Sequence, residues 1–151
     1  MKKIFFLFLF IFVAFPIFGQ VSPSTTPKDP FFGNKPVQTK PEDKVQLIHA
    51  DTFGKDPLEY DGNTVFRGNV QFSHKGSEIS ADLVVLYQED NFIKAIGNVL
   101  LKNADGSVIS AEEMEYDGNT QKGIARKNVV LSDPKQTIKT DVLYYDRVSN
   151  Q

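Results

Sequence analysis

From Val45 onward, apolar residues come in short runs, largely at alternate positions, and clusters of polar residues separate the runs. The breaks fall at Asp61-Gly62, Lys75-Gly76, Asp105-Gly106, Asp117-Gly118 and Asp133-Pro134. Asp-Gly suits tight hairpins because both residues tolerate positive φ. Strand-sized runs bounded by such turns predict an antiparallel β protein. No window carries the 3.6-residue period of a long amphipathic helix.

The runs repeat. "ISADLVVLYQEDNFIKAIGNVLL", from Ile79, aligns without a gap on "ISAEEMEYDGNTQKGIARKNVVL", from Ile109, at an offset of 30. An earlier copy starts at Ile48 and reaches Gly68-Asn69-Val70, with two extra residues in its first loop. A fourth begins at Ile138 and lacks its second strand. The acidic anchors Asp51, Asp82, Glu112 and Asp141 are 31, 30 and 29 residues apart. A fixed period of this size predicts a stacked array in which no unit buries its apolar face alone.

Each unit reads as two strands. The second keeps one parity: Phe66, Gly68, Val70 and Phe72 share a face, as do Ala95, Gly97, Val99 and Leu101, and Ala125, Lys127, Val129 and Leu131. The first switches parity, from Ile109 and Ala111 to Met114 and Tyr116. Side chains alternate strictly in a regular strand, so the switch predicts a bulge or sharp bend near the acidic residue. Bends in every repeat would fold the sheet over itself into two facing layers. The fold class expected is all-β: an open, folded-over antiparallel β-jellyroll of ~30-residue two-strand repeats.

Composition divides the rest of the chain. Residues 1–19 hold Lys2 and Lys3, then an apolar run from Ile4 to about Phe15, and read as a secretory signal peptide with a cut before Gln20. The run is short for a bilayer span of about 20 residues, and Pro16 interrupts it. Residues 20–44 hold five of the 8 Pro and read as an extended, poorly ordered linker, within which Phe31-Phe32 is a candidate docking spot. The β domain is then 45–151, either a short member with an open edge or a truncated chain. With no Cys, an exported domain has no disulfide and no lipidated cysteine. The chain after the signal has 15 Lys and Arg against 19 Asp and Glu, a net charge of −4 with signs interspersed, which argues against nucleic acid.

Candidate chemistry is sparse. "YDGNT" occurs at Tyr60–Thr64 and again at Tyr116–Thr120, and its Asp and Asn are oxygen donors. The spacing is not that of a calcium loop, so a hairpin corner is the preferred reading. His49 and His74 occupy non-equivalent places in the repeat and read as surface or turn residues. No zinc set or nucleophile–base pair is visible. Glu113 and Glu115 share a strand face without recurring in other copies, and read as solvated. No enzyme activity, metal or cofactor is expected.

What recurs is an apolar stripe, most of which packing alone explains. The repeated pattern resembles the OstA/LptA-type domain of lipopolysaccharide transport, a family that also includes LptC and the N-terminal periplasmic part of LptD. The matching residues are Ala50-Asp51, Ala81-Asp82, Ala111-Glu112 and Thr140-Asp141, with Tyr60, Tyr116 and Tyr145, and Gly68-Asn69-Val70, Gly97-Asn98-Val99 and Asn128-Val129. The resemblance implies an open jellyroll whose interior holds lipopolysaccharide acyl chains, and edge-to-edge joining with related domains across the periplasm, up to the outer membrane. Self-association and a role at either membrane stay open. From the parity, Phe66, Val70, Phe72, Val99, Leu101, Val129 and Leu131 are expected to line the interior, with Met114, Tyr116, Leu143 and Tyr145 from the first strands. A secreted structural or carbohydrate-binding repeat module is the alternative, which would display Tyr60, Tyr116 and Tyr145 to solvent.

Overall fold

The computed structural model describes residues 29–33, 40 and 43–149. The signal-like segment and most of the Pro-rich stretch lie outside the described residues. The strands are β1 (Gln46–His49), β2 (Thr52–Lys55), β3 (Thr64–His74), β4 (Ser77–Tyr87), β5 (Phe92–Lys102), β6 (Val108–Asp117), β7 (Lys122–Ser132) and β8 (Thr137–Asp146). They form one antiparallel meander in chain order, with β1 and β2 sharing the place beside β3.

Every strand from β3 to β8 has a corner. Between β3 and β4 the register runs from Arg67↔Leu83 to Val70↔Ala81, so Gly68-Asn69 face the single residue Asp82. The same two-against-one step sets Gly97-Asn98 against Glu112, and Lys127-Asn128 against Asp141. This is a β-bulge, which bends the strand and raises its twist. The extra residue lies on the second strand of each unit, while the parity switch falls on the first. Ile109, Ala111, Met114 and Tyr116 therefore all point inward and are buried. The bulge lets Phe66, Val70 and Phe72 keep one parity inward around the corner.

The corner is held by side chains. Asn69 donates its amide to the Asp51 carboxylate at 3.0 Å, Asn98 donates to Asp82 at 2.8 Å, and Asn128 donates to Glu112. Both bulge residues are left-handed, with φ of 77° and 46° at Gly68 and Asn69, and 79° and 46° at Gly97 and Asn98. A Cβ on Gly68 would lie 2.3 Å from the Asp51 carboxylate, and one on Gly97 2.6 Å from that of Asp82. Glycine here meets two demands at once, a left-handed backbone and room for the acid. Lys127 takes the same backbone at φ 65°, with the longer Glu112 at its corner, and its ammonium pairs with Glu113 at 2.6 Å.

The bends bring the two halves of each strand face to face. The rings of Phe66 and Phe72, on opposite sides of one corner, meet edge to face at 5.3 Å. His74 and Tyr116 do so from different strands at 5.7 Å. One apolar cluster runs between the layers from Phe66 to Val129.

The two "YDGNT" copies adopt different backbones. In the first, Asp61 and Gly62 have φ of 50° and 74°. In the second, Asp117 ends β6 and its side chain accepts from the amides of Asn119 and Thr120, and the positive φ falls on Gln121. The middle copy builds the same corner with Asn91 at φ 50°. Gly118 is needed for space: a Cβ there would lie 2.5 Å from the Asn91 amide nitrogen. The expectation of positive φ at both residues of Asp-Gly therefore holds at Asp61-Gly62 and not at Asp117-Gly118.

Candidate functional site

Of the residues expected to line the interior, Phe66, Val70, Phe72, Val99, Leu101, Met114, Tyr116 and Val129 are buried in the one cluster between the layers. Leu131, Leu143 and Tyr145 are partly buried and pack against it. Across the middle strands the packing is tight, and beside His74, Leu101 and Tyr116 only about 10 Å³ is free.

The layers part at the β8 side. A cleft of about 840 Å³ opens there, with Ile109, Leu131, Leu143 and Tyr145 as its apolar wall and Asp105, Asp133, Lys135 and Arg147 at its rim. At the opposite edge Leu47 is aligned with Phe72 and Phe53 with Phe66, so both extend the inner face. They are 45% and 75% exposed, and Ile138, which extends that face at the β8 edge, is 39% exposed. The apolar interior thus reaches solvent at both edges of the sheet. Stripes of this kind, exposed in a row, mark surfaces that meet something apolar.

One end of the interior is closed by polar groups that the sequence reading did not bring together. His74 is buried, which corrects its reading as a surface or turn residue. Its Nε2 lies 3.1 Å from the Asp43 carbonyl oxygen, and its Nδ1 lies 2.8 Å from the Tyr116 hydroxyl. A carbonyl can only accept, so Nε2 carries the proton and neutral Nδ1 accepts from Tyr116. Burial lowers the His74 pKa, helped by Lys75 and Arg147 and opposed by the Asp43 hydrogen bond. Burial also pushes the Tyr116 phenol up to about 12 and raises that of Tyr145. Arg147 donates to the His74 carbonyl at 3.1 Å and to that of Lys75, tying the end of β8 to the β3–β4 turn. Asn91 adds a tie, donating to the Asp43 carbonyl at 2.9 Å and accepting from the Val45 amide at 2.9 Å. His49 is exposed and lies 3.1 Å from Asp51.

The outer face holds a second cluster. Pro30–Phe32 form a 3₁₀ turn capped by Asp29, and Phe32 is buried against Phe92 and Ile124. Asp29 pairs with Arg126 at 3.5 Å, and the Lys122 ammonium lies 4.8 Å above the Phe31 ring. The Phe31-Phe32 docking spot is therefore occupied by the chain's own sheet. Glu115, expected to be solvated, is half-buried and bonds Arg126 at 3.1 Å, while Glu113 takes Lys127. Among the described residues no cluster of His, Asp or Glu is placed to hold a metal ion.

A family profile described as OstA-like protein matches residues 42–151, the whole β domain. The chain belongs to the OstA-like family. A solved structure with a similar fold is LptH of Pseudomonas aeruginosa, described as the LptA homologous periplasmic component of a conserved lipopolysaccharide transport device. It superposes with a TM-score of 0.59 at 15% identity, over 70% of this chain and 80% of that one. This likeness is one of fold. No curated protein matches the sequence. In this OstA-like chain the open, unclosed sheet agrees with the jellyroll expected from the repeat. Tyr116 is buried and Tyr145 half-buried, so neither forms the solvent-facing aromatic row that a carbohydrate-binding surface would need.

Proposed function

We propose that this OstA-like chain is a periplasmic component of lipopolysaccharide transport that carries no catalytic machinery, shields acyl chains between its two layers, and joins related β domains edge to edge. The observation that carries this reading is the continuous apolar interior, exposed at both sheet edges and widening into the cleft along β8. Acyl chains gain about 0.8 kcal/mol per buried CH₂ and need no directional partner. Leu131, Leu143 and Tyr145 receive them first, because they already stand at the open wall. The tightly packed residues further in, from Phe66 to Val129, then line the path as the layers separate. The acidic and basic groups at the rim face the aqueous headgroup. The reading of residues 1–19 as a signal peptide supports a place outside the inner membrane.

A photo-crosslinking amino acid at Leu131 or Leu143 tests this, with Val142, beside Leu143 on the outer face of β8, as the control. Purified lipopolysaccharide should label the two inner positions and spare Val142. Equal labelling at all three would sink the groove.

A further inference from the structure

The two layers are joined differently at their two margins. At the corners every strand from β3 to β8 runs from one layer into the other, so the join there is covalent. At the opposite margin the hairpin turns meet, those after β3, β5 and β7 from one layer and those after β4 and β6 from the other. Among the described residues no backbone-to-backbone hydrogen bond crosses this seam. Side chains cross it instead: Tyr116 donates to His74, Tyr145 to Asn103 at 3.4 Å, and Arg147 to the His74 carbonyl.

The seam is also spanned by three residues that belong to neither layer. Asp43 to Val45 lie just ahead of β1. The Asp43 carbonyl accepts from His74 of one layer and from Asn91 of the other, and its carboxylate pairs with Lys75 at 3.1 Å. Val45 donates its amide to Asn91. Its side chain packs on the apolar cluster where Phe72 and Ile79 of the first layer face Ile93 and Tyr116 of the second. β1, which follows, is exposed along all four residues, so it adds little hold.

We infer that Asp43–Val45 are a clasp on the seam, and that their withdrawal lets the layers part there while the corners stay bent. This deepens the acyl-chain reading above, on which it rests for what enters the opened interior. A close-packed interior admits a guest only when its walls separate. Separation at the corners would break the ladders of six strands. Separation at the seam costs a few side-chain hydrogen bonds, each of modest net worth, and the seat of Val45.

The chain has no Cys, so one engineered thiol reports opening. Leu101→Cys stands at the seam and Val70→Cys beside the corner, both at positions fully buried in the parent. Each is labelled with a water-soluble maleimide in the purified chain. Two changes loosen the clasp separately. Asn91→Gly removes its ties yet accepts φ 50°, and Val45→Ala removes packing and leaves the hydrogen bonds. Each should speed labelling of Leu101→Cys roughly tenfold, the worth of a hydrogen bond or two buried methyl groups, and leave Val70→Cys at its parental rate. Equal acceleration at both thiols would mean that the stretch supports the whole fold. No acceleration at Leu101→Cys would mean that the seam opens without it. Either result overturns the inference. Lipopolysaccharide added to the Asn91→Gly chain should slow labelling of Leu101→Cys. If the clasp variants behave as expected and lipopolysaccharide gives no protection, the acyl-chain reading falls and the clasp stands.

Discussion

Asn98 donates its side-chain amide to Asp82 at 2.8 Å, across the corner where β5 turns over its neighbour. The bond replaces backbone pairing that the bulge interrupts, and it recurs at each Asn corner of the array.

Removing the amide should loosen the corner. Asn98→Ala loses a hydrogen bond to a charged group and places Ala at φ 46°. The two effects together cost about 2 kcal/mol, as each is worth about 1 kcal/mol. Urea unfolding, read as a lower midpoint at unchanged m, checks this.

Gly97→Ala should cost at least as much, about 2–3 kcal/mol, because the new Cβ meets the Asp82 carboxylate in a left-handed backbone. Pairing it with Asp82→Ala relieves the clash and should recover part of the loss in a double-mutant cycle. Lys127→Gly points the other way. It relieves a left-handed lysine at the cost of one exposed ion pair, so its midpoint should equal or exceed that of the parent.

His74 makes stability depend on pH. Its pKa is lowered in the folded chain, so the unfolded chain binds more protons wherever the two forms differ. The contribution is fully present above the ordinary histidine value of about 6.5 and is lost as pH falls through the lowered folded value. Thermal unfolding should show a falling midpoint from pH 7 to 5, and His74→Gln should flatten that slope. At the alkaline end Tyr116 has the opposite sign: its raised value removes stability as pH climbs above about 10 towards about 12.

Phe32→Ala should release the outer clip without unfolding the sheet. Amide exchange at Phe32 and Gly33, which bond Asp29 and Pro30, should quicken strongly, while β5 and β7 amides keep their protection. Loss of protection throughout would show that the clip is part of the main folding unit.

Much of the sheet was legible because alternation is a backbone rule. Ile109, Ala111, Met114 and Tyr116 could face one interior only if the strand changed parity between Ala111 and Met114, and it does. The partner of that switch, the extra residue at Gly-Asn, was harder to see, since the second strand hides it by keeping its parity. His74 was misjudged because its acceptor is the Asp43 backbone, which no residue type announces. The Phe32 seat joins residues some sixty to ninety positions apart and has no period. The twin "YDGNT" segments diverge because the two extra residues of the first loop let Asp61-Gly62 make their own turn.

The Phe32 seat also decides how the domain bears load. A pull on the chain ahead of Asp29 is taken first by a ring wedged over β5 and β7, in the middle of the sheet. Without that seat the force would fall on the hydrogen bonds of Asp43 and Val45 and then on β1, a four-residue edge strand that could peel one hydrogen bond at a time. The clip moves the point of attachment from the margin of the fabric to its centre, as a rivet does for a strap.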